Sequence, residues 1–321
     1  MKTVVTGGAG FIGSHLCERL LEMGHRVVVL DNLSTGSVDN LGKVRTDRNF
    51  EFIEGSILDK PLVNKVMSGA NQCFHLGAGL GVQRILERPY ETLKTNLVGT
   101  ENVVEVATEH RTKIFLASTS EVYGKTDKQP LSEDSDRVLG SPSILRWAYS
   151  EAKAIDETLL EMFRQSHGLR YVVGRFFNTV GPRQSGDYGM VLPRFVSSAI
   201  SNEPIRIFGD GSQSRVFAHV WDAVDGVLKV FFDERAEGQA INIGGEEEIS
   251  IRELAERVIS VTGSSSRIEY VSYEDAYPAG FEETMRRVPD TTKLRTLTGW
   301  TPKYSLDEII KDIENYFRSK S

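Results

Sequence analysis

Tyr149 and Lys153 stand four residues apart in RWAYSEAKAIDE. On a helix that spacing puts both side chains on one face. A free tyrosine titrates near ~10 and is a poor base at neutral pH. A lysine one turn away stabilises the phenolate and makes the hydroxyl a usable proton acceptor. Taken alone, the pair also fits a solvated ion-pair helix.

A second constellation removes that ambiguity. Gly7, Gly10 and Gly13 follow the strand-like TVVT and open a helical pattern. The first glycine permits a tight turn, the second lets backbone amides approach a pyrophosphate, and the third lets helix and strand pack closely. The helix N-terminus adds free N–H groups and the positive end of its dipole. The next strand, RVVVLD, ends in Asp31, 18 residues after Gly13. A carboxylate there accepts hydrogen bonds from the adenosine ribose and repels a 2′-phosphate, which predicts NAD rather than NADP. The positive nicotinamide then joins Lys153 in lowering the tyrosine's pKa.

These residues need rigid elements behind them. Ile12, Leu16 and Leu20 make a helical stripe over Phe11 to Met23, ended by Gly24. FEFIEG, QCFHLG, KIFLAST and YVVGRFF read as further strands alternating with helices, so a parallel sheet covered on both faces is expected. After about Asn178 the texture changes: GPRQSGDYG, a helix over Leu192 to Ser201, and the strand IRIF. VWDAVDGVLKVFF reads as a helix and QAINIG as a strand rejoining the sheet. From Ser250 the chain reads as helical, with one irregular stretch, YEDAYPAGFEETMRRVPD. The predicted fold is α/β: a Rossmann-type doubly wound parallel sheet with a smaller C-terminal substrate-binding lobe. Residues 1–178, with about 216–243 returning, form the cofactor domain; 179–215 and 244–321 form the lobe.

Bulk properties narrow the partners. The 321 residues are 40% hydrophobic, enough for a sizeable core, and carry a net charge of −7. A mildly acidic surface argues against nucleic acid or anionic membrane. Two cysteines, Cys17 and Cys73, fall in apolar patterns without metal or redox spacing, and no metal site is expected. The N-terminus reads as strand and turn, not a signal peptide, and no apolar run approaches the roughly 18 residues of a membrane span. A cytoplasmic protein is expected.

TGGAGFIGS, STSEVYG at Ser118 to Gly124, the Tyr149/Lys153 pair, FNTVGPR at Phe177 to Arg183 and RVPD at Arg287 to Asp290 together resemble the extended short-chain dehydrogenase/reductase family. The resemblance is to its nucleotide-sugar epimerase/decarboxylase branch and covers nearly the whole chain. It implies that Thr119 hydrogen-bonds the sugar O4, that Tyr149 removes the O4 proton, and that Lys153 binds the nicotinamide ribose. It adds Ser120 and Glu121 to the catalytic group. It implies further cofactor contacts at Phe11, Ile12, Asn32, Ser34, Gly36, Ser56, Ile57, Leu76, Gly77, Ala78 and Asn96. For the nucleotide it implies Asn178 at the diphosphate, Arg215 and Arg287 as charge partners, Asp290 at the uridine ribose, and Arg194, Ile207 and Phe208 around the base. Two departures stand out: Gly55-Ser56 lacks the acidic residue often found there, and FHLGA puts Gly77 where alanine is usual. The resemblance also implies a homodimer built on the helices bearing Tyr149 to Phe163 and Asn96 to Ala107.

Three reactions of that branch share a 4-keto intermediate. A 4,6-dehydratase carries an Asp-Glu pair after the threonine; Ser120-Glu121 argues against it. A UDP-glucuronate decarboxylase would use Glu121 and Arg287. A 4-epimerase needs only room for the keto sugar to turn over. RWAYSEAKAIDE, FNTVGPRQSGDYGMVLPRF and FEETMRRVPD resemble epimerase-like sequences, and Ser185 stands where some uronate epimerases carry an arginine. The expected function is 4-epimerisation of a UDP-hexose or UDP-hexuronate (glucose/galactose or glucuronate/galacturonate), with UDP-glucuronate decarboxylation as the alternative.

Overall fold

The computed structural model describes residues 1–79, 88–185, 190–276, 282 and 284–320. Six strands follow one another along the first half: β1 (Lys2–Thr6), β2 (Arg26–Asp31), β3 (Phe50–Glu54), β4 (Gln72–His75), β5 (Lys113–Thr119) and β6 (Tyr171–Phe176). A seventh, Ala240–Ile243, pairs with β6, and the order across the parallel sheet is Ala240–Ile243, β6, β5, β4, β1, β2, β3. The sheet is central, so its strands are apolar on both faces; Val4 and Val5 are both fully buried.

Helices cover both faces. Phe11–Glu22 supplies Leu16, Cys17 and Leu20 to one core, where Val220–Phe232 and Leu294 join it. Lys60–Met67, Pro89–Glu109 and Trp147–His167 cover the other face. Chain order reverses beside β1, which pairs with both β2 and β4. Ligands of such sheets bind outside the carboxyl ends of the strands at that switch point. Here those ends deliver Gly7, Asp31, Leu76–Gly79, Thr119–Glu121 and Asn178 to one side.

A second core unites Leu192, Phe195 and Val196 with Leu254, Val258, Ile309 and Ile313, from helices Val191–Ile200, Ile251–Thr262 and Leu306–Lys320. Two features of this half escape the sequence pattern. Ile268–Val271, expected within helix, is a strand parallel to Ile205–Phe208. Leu294 and Trp300, from the segment expected in the lobe, pack under the main sheet. Within the irregular stretch, Arg286–Arg287 forms a short strand parallel to Ser214–Val216, with Arg287 opposite Arg215. The GDYG part of the glycine-rich stretch, and Phe281 and Glu283 of FEETMRRVPD, lie outside the described residues.

Candidate active site

The glycine loop is close-packed against its own chain. A Cβ on Gly7 would meet the Leu76–Gly77 backbone at 2.7–2.9 Å, and one on Gly13 the Gly7 carbonyl at 2.3 Å. Gly7 also needs its positive φ of 72°. Gly10 differs: its Cβ would meet only the Gly7 carbonyl, at 3.1 Å. It leaves the helix N-terminus open to a cavity of about 510 Å³ that runs from the loop to the lobe. Asp31 lies at the edge, its carboxylate accepting from the amides of Ala9 (3.0 Å) and Leu33 (2.8 Å). Each oxygen keeps a lone pair for a ribose hydroxyl.

Most residues expected at the site line this cavity. At the loop end are Gly7, Gly10, Phe11, Ile12 and Gly13, with Asp31, Asn32 and Ser34. Ile57, Leu76, Gly77 and Ala78 continue the wall. Thr119, Ser120, Glu121 and Tyr149 form the middle, and Asn178, Arg194, Phe208, Arg215 and Arg287 the lobe end.

Six expected residues do not line it. Asn96 is fully buried behind the wall, both ends of its amide taken by the Gly79 backbone, so it braces the 76–79 loop. Gly36 packs against Ala9, where a Cβ would lie 2.8 Å from that residue's carbonyl. The Ser56 hydroxyl accepts from the Leu58 amide, and Asp290 accepts from the Thr292 amide. Ile207 is core of the lobe. Lys153 is buried, its ammonium 3.2 Å from Asp156. Ser120 lines the cavity although its side chain is largely buried, and its hydroxyl lies 3.4 Å from Arg287 Nη1.

Tyr149 sits on Trp147–His167, joined to the β5 end where the Ser150 hydroxyl donates to the Glu121 carbonyl at 2.7 Å. β5 is pinned from below by Ser118 to Glu157 and by Glu157 to Arg175. Thr119 Oγ1 accepts from the Glu121 amide at 3.2 Å and orients that turn. The tyrosine's environment departs from expectation. Burial, then the charges of Glu121 and Asp156, push its pKa up.

Glu121 is the electrostatic centre. It is ion-paired with Arg287, and Arg146 Nη2 lies 3.6 Å from its other oxygen. Burial pushes the carboxyl up, but Arg287, Arg146 and Arg215 outweigh it and hold it at about 2. Arg146 escaped the sequence reading. Its signal was a cation three residues before Tyr149, on the same helical face. Other unforeseen lining residues are Thr92, Thr179, Gln184 and Gln213. Each has a buried oxygen without a hydrogen-bond partner among the described residues, as does Arg287 Nε. Buried polar groups are rarely left so.

Among the described residues no cluster of His, Cys, Asp or Glu could hold a metal ion, and no helix is long and apolar enough to cross a membrane.

A glycine loop at the switch point of a parallel sheet, facing a Tyr-x-x-x-Lys helix across one cavity, defines an extended short-chain dehydrogenase/reductase of the nucleotide-sugar branch. Within that class the chain belongs to the family described as GDP-mannose 4,6 dehydratase, whose model it matches over residues 4–313. It is 40% identical over 318 residues to a UDP-N-acetyl-alpha-D-glucosaminuronate decarboxylase of Bacillus cytotoxicus, covering 99% of this chain and 98% of that one. It is 34% identical over 316 residues to UDP-glucuronic acid decarboxylase 1 of Danio rerio, covering 98% of this chain and 72% of that one. Among solved structures, the UDP-glucose 4-epimerase of Thermotoga maritima superposes with a TM-score of 0.90 at 32% identity, covering 100% of this chain and 99% of that one.

Proposed function

We propose that the chain is an NAD-dependent UDP-hexuronate decarboxylase, acting on UDP-glucuronate or its 2-acetamido counterpart. This reverses the order expected from sequence, where 4-epimerisation came first. The observation that carries it is the Arg146–Glu121–Arg287 group in the middle of the cavity. Two guanidiniums against one carboxylate leave a positive excess, which suits a substrate that brings a carboxylate of its own. The decarboxylase relatives support the same reading.

NAD is the cofactor. The open helix N-terminus at Gly10 would take its pyrophosphate, Asp31 its adenosine ribose, and Lys153 its nicotinamide ribose. Bound there, it supplies reversible oxidation of the sugar at C4. The protein's part is to handle protons and charge. Thr119 would hold O4 and Tyr149 would take its proton. A carboxyl beta to a ketone leaves as carbon dioxide once its carboxylate is held and desolvated, its bonding pair passing into the enolate at C5 and C4. Glu121 remains an anion at working pH, so it acts by charge and not as a proton donor. It fixes Arg287, and it sets a negative charge near a carboxylate that departs neutral. Arg215, Arg287 and Asn178 would hold the diphosphate, and Phe208 and Arg194 the base, the latter's guanidinium stacked 4.1 Å above the Phe208 ring.

A second reading, 4-epimerisation, is favoured by the structural likeness to a UDP-glucose 4-epimerase. Incubation with UDP-glucuronate and, separately, its 2-acetamido analogue, with mass analysis of the products, tells the two apart. Loss of carbon dioxide supports decarboxylation; an isomer of unchanged mass supports epimerisation.

A further inference from the structure

Lys153 and Asp156 are 2% and 1% exposed in their side chains, and their charged groups are 3.2 Å apart. Burying both charges is costly unless further hydrogen bonds satisfy them. Asp156 has a neighbour of that kind: the Thr100 hydroxyl, from Pro89–Glu109, favours its carboxylate form. Thr100 Oγ1 also lies 3.1 Å from His75 Nε2, at the end of β4. His75 Nδ1 lies 2.6 Å from Thr6 Oγ1, at the end of β1. Thr6 Oγ1 in turn accepts from the Gly77 amide at 3.3 Å, and Gly77 lines the cavity. Thr6, His75, Thr100 and Asp156 are all buried.

The hydrogens along this path have one arrangement. A carboxylate only accepts, so the single hydrogen of Thr100 goes to Asp156. The Thr100 oxygen must then accept from His75, and Nε2 carries the hydrogen. Burial, reinforced by the charge of Lys153, pushes His75 down to about 3, so the ring is neutral and its Nδ1 accepts. Its donor is the Thr6 hydroxyl, whose oxygen takes the Gly77 amide. Every donor points the same way, from the cavity wall toward Asp156, where the path meets Lys153 from the other side.

We propose that Asp156 is a positioning residue for Lys153, held by this one-way chain of hydrogen bonds from Gly77 through Thr6, His75 and Thr100. The inference deepens the proposed reaction and rests on the role given there to Lys153. It also gives Asp156 a part in setting the proton affinity of Tyr149. The charges acting on that phenol are Glu121 at the β5 end and Asp156 on its own helix; Lys153 pairs with Asp156, and Arg146 and the lobe's Arg287 pair with Glu121. With Asp156 neutral, Lys153 acts on Tyr149 unopposed and the phenol loses its proton more readily.

The test combines NMR of the imidazole nitrogens with kinetics of the full-length enzyme. In the wild type at pH 7, His75 shows a hydrogen on Nε2, none on Nδ1, and no titration over roughly pH 5 to 8. Asp156→Asn keeps the shape, but its amide can also donate, so the Nε2 preference weakens. Its kcat falls at least about tenfold, KM for the UDP-sugar stays within twofold, and the acid limb of the kcat profile moves to lower pH. Thr100→Val cuts the path between His75 and Asp156; the His75 tautomer changes and the Lys153–Asp156 pair remains. A hydrogen on Nδ1 of wild-type His75 overturns the proposal, as does an Asp156→Asn enzyme with an unmoved acid limb. Should Asp156→Asn not fold, the wild-type and Thr100→Val spectra decide. Should the wild type turn over no UDP-hexuronate, the proposed reaction fails, while the tautomer of His75 still decides this inference.

Discussion

Arg287 donates to Glu121 across 166 residues of sequence, bringing the lobe's short strand onto the end of β5. The contact exists because Arg286–Arg287 adds to Ser214–Val216, which aims Arg287 back across the cavity. The pair therefore links the part of the site expected to hold the diphosphate to the part expected to hold the sugar. Glu121→Gln keeps the shape and removes the charge. Under the decarboxylase reading, pentose formation falls by about 100-fold or more, while UDP-sugar affinity measured by calorimetry changes little. An epimerase would keep substantial activity in the same variant, because O4 proton transfer depends on Tyr149.

Arg146 gives a sharper comparison, because the proposed substrate has a carboxylate and the pentose product expected from it has none. Arg146→Gln is expected to weaken UDP-glucuronate binding by about tenfold or more, and UDP-xylose binding by much less. Titration of both ligands into both proteins checks it. Equal losses for the two ligands would show that Arg146 does not read the carboxylate.

The Asp31 carboxylate accepts from the Ala9 and Leu33 amides and faces the cavity edge. NAD should bind much more tightly than NADP, since a 2′-phosphate would meet this buried negative charge. Asp31→Asn should narrow that gap by raising NADP affinity relative to NAD. Calorimetry with both cofactors measures it; equal affinities in the wild type would remove Asp31 from the role.

Ile155 and Met162 are seven residues apart on Trp147–His167 and are 54% and 60% exposed. Val98, on the neighbouring helix Pro89–Glu109, is 39% exposed. Apolar side chains grouped on two packed helices suit a two-fold four-helix contact with a second copy. Light scattering at micromolar concentration should report a dimer, and the double variant Ile155→Glu, Met162→Glu a monomer. A monomeric wild type would contradict the dimer.

The cofactor end of the site was legible because its requirements are local. Gly7, Gly13 and Asp31 answer to a turn, a close approach and a strand end, all within one βαβ unit. The sugar end was only partly so. Ser120-Glu121 argued against dehydration, and Glu121 with Arg287 suited a decarboxylase, but residue type alone did not exclude an epimerase; the pairing with Arg146, on which the proposed reading leans, is created only by the tertiary fold. Asn96 shows the opposite failure, a polar residue in a resembling position whose amide is spent on Gly79. Ile268–Val271 was missed because so short a run adjoining a helix draws its strand character from pairing with Ile205–Phe208, a partner far away in sequence.

The central claim is that this cavity removes a carboxylate, and the direct measurement is carbon dioxide released per UDP-hexuronate consumed by the wild-type enzyme with NAD. The account predicts one carbon dioxide for each nucleotide sugar converted, with a UDP-pentose or its 2-acetamido counterpart as the product. Conversion of either uronate to an isomer of unchanged mass, without carbon dioxide, would contradict it.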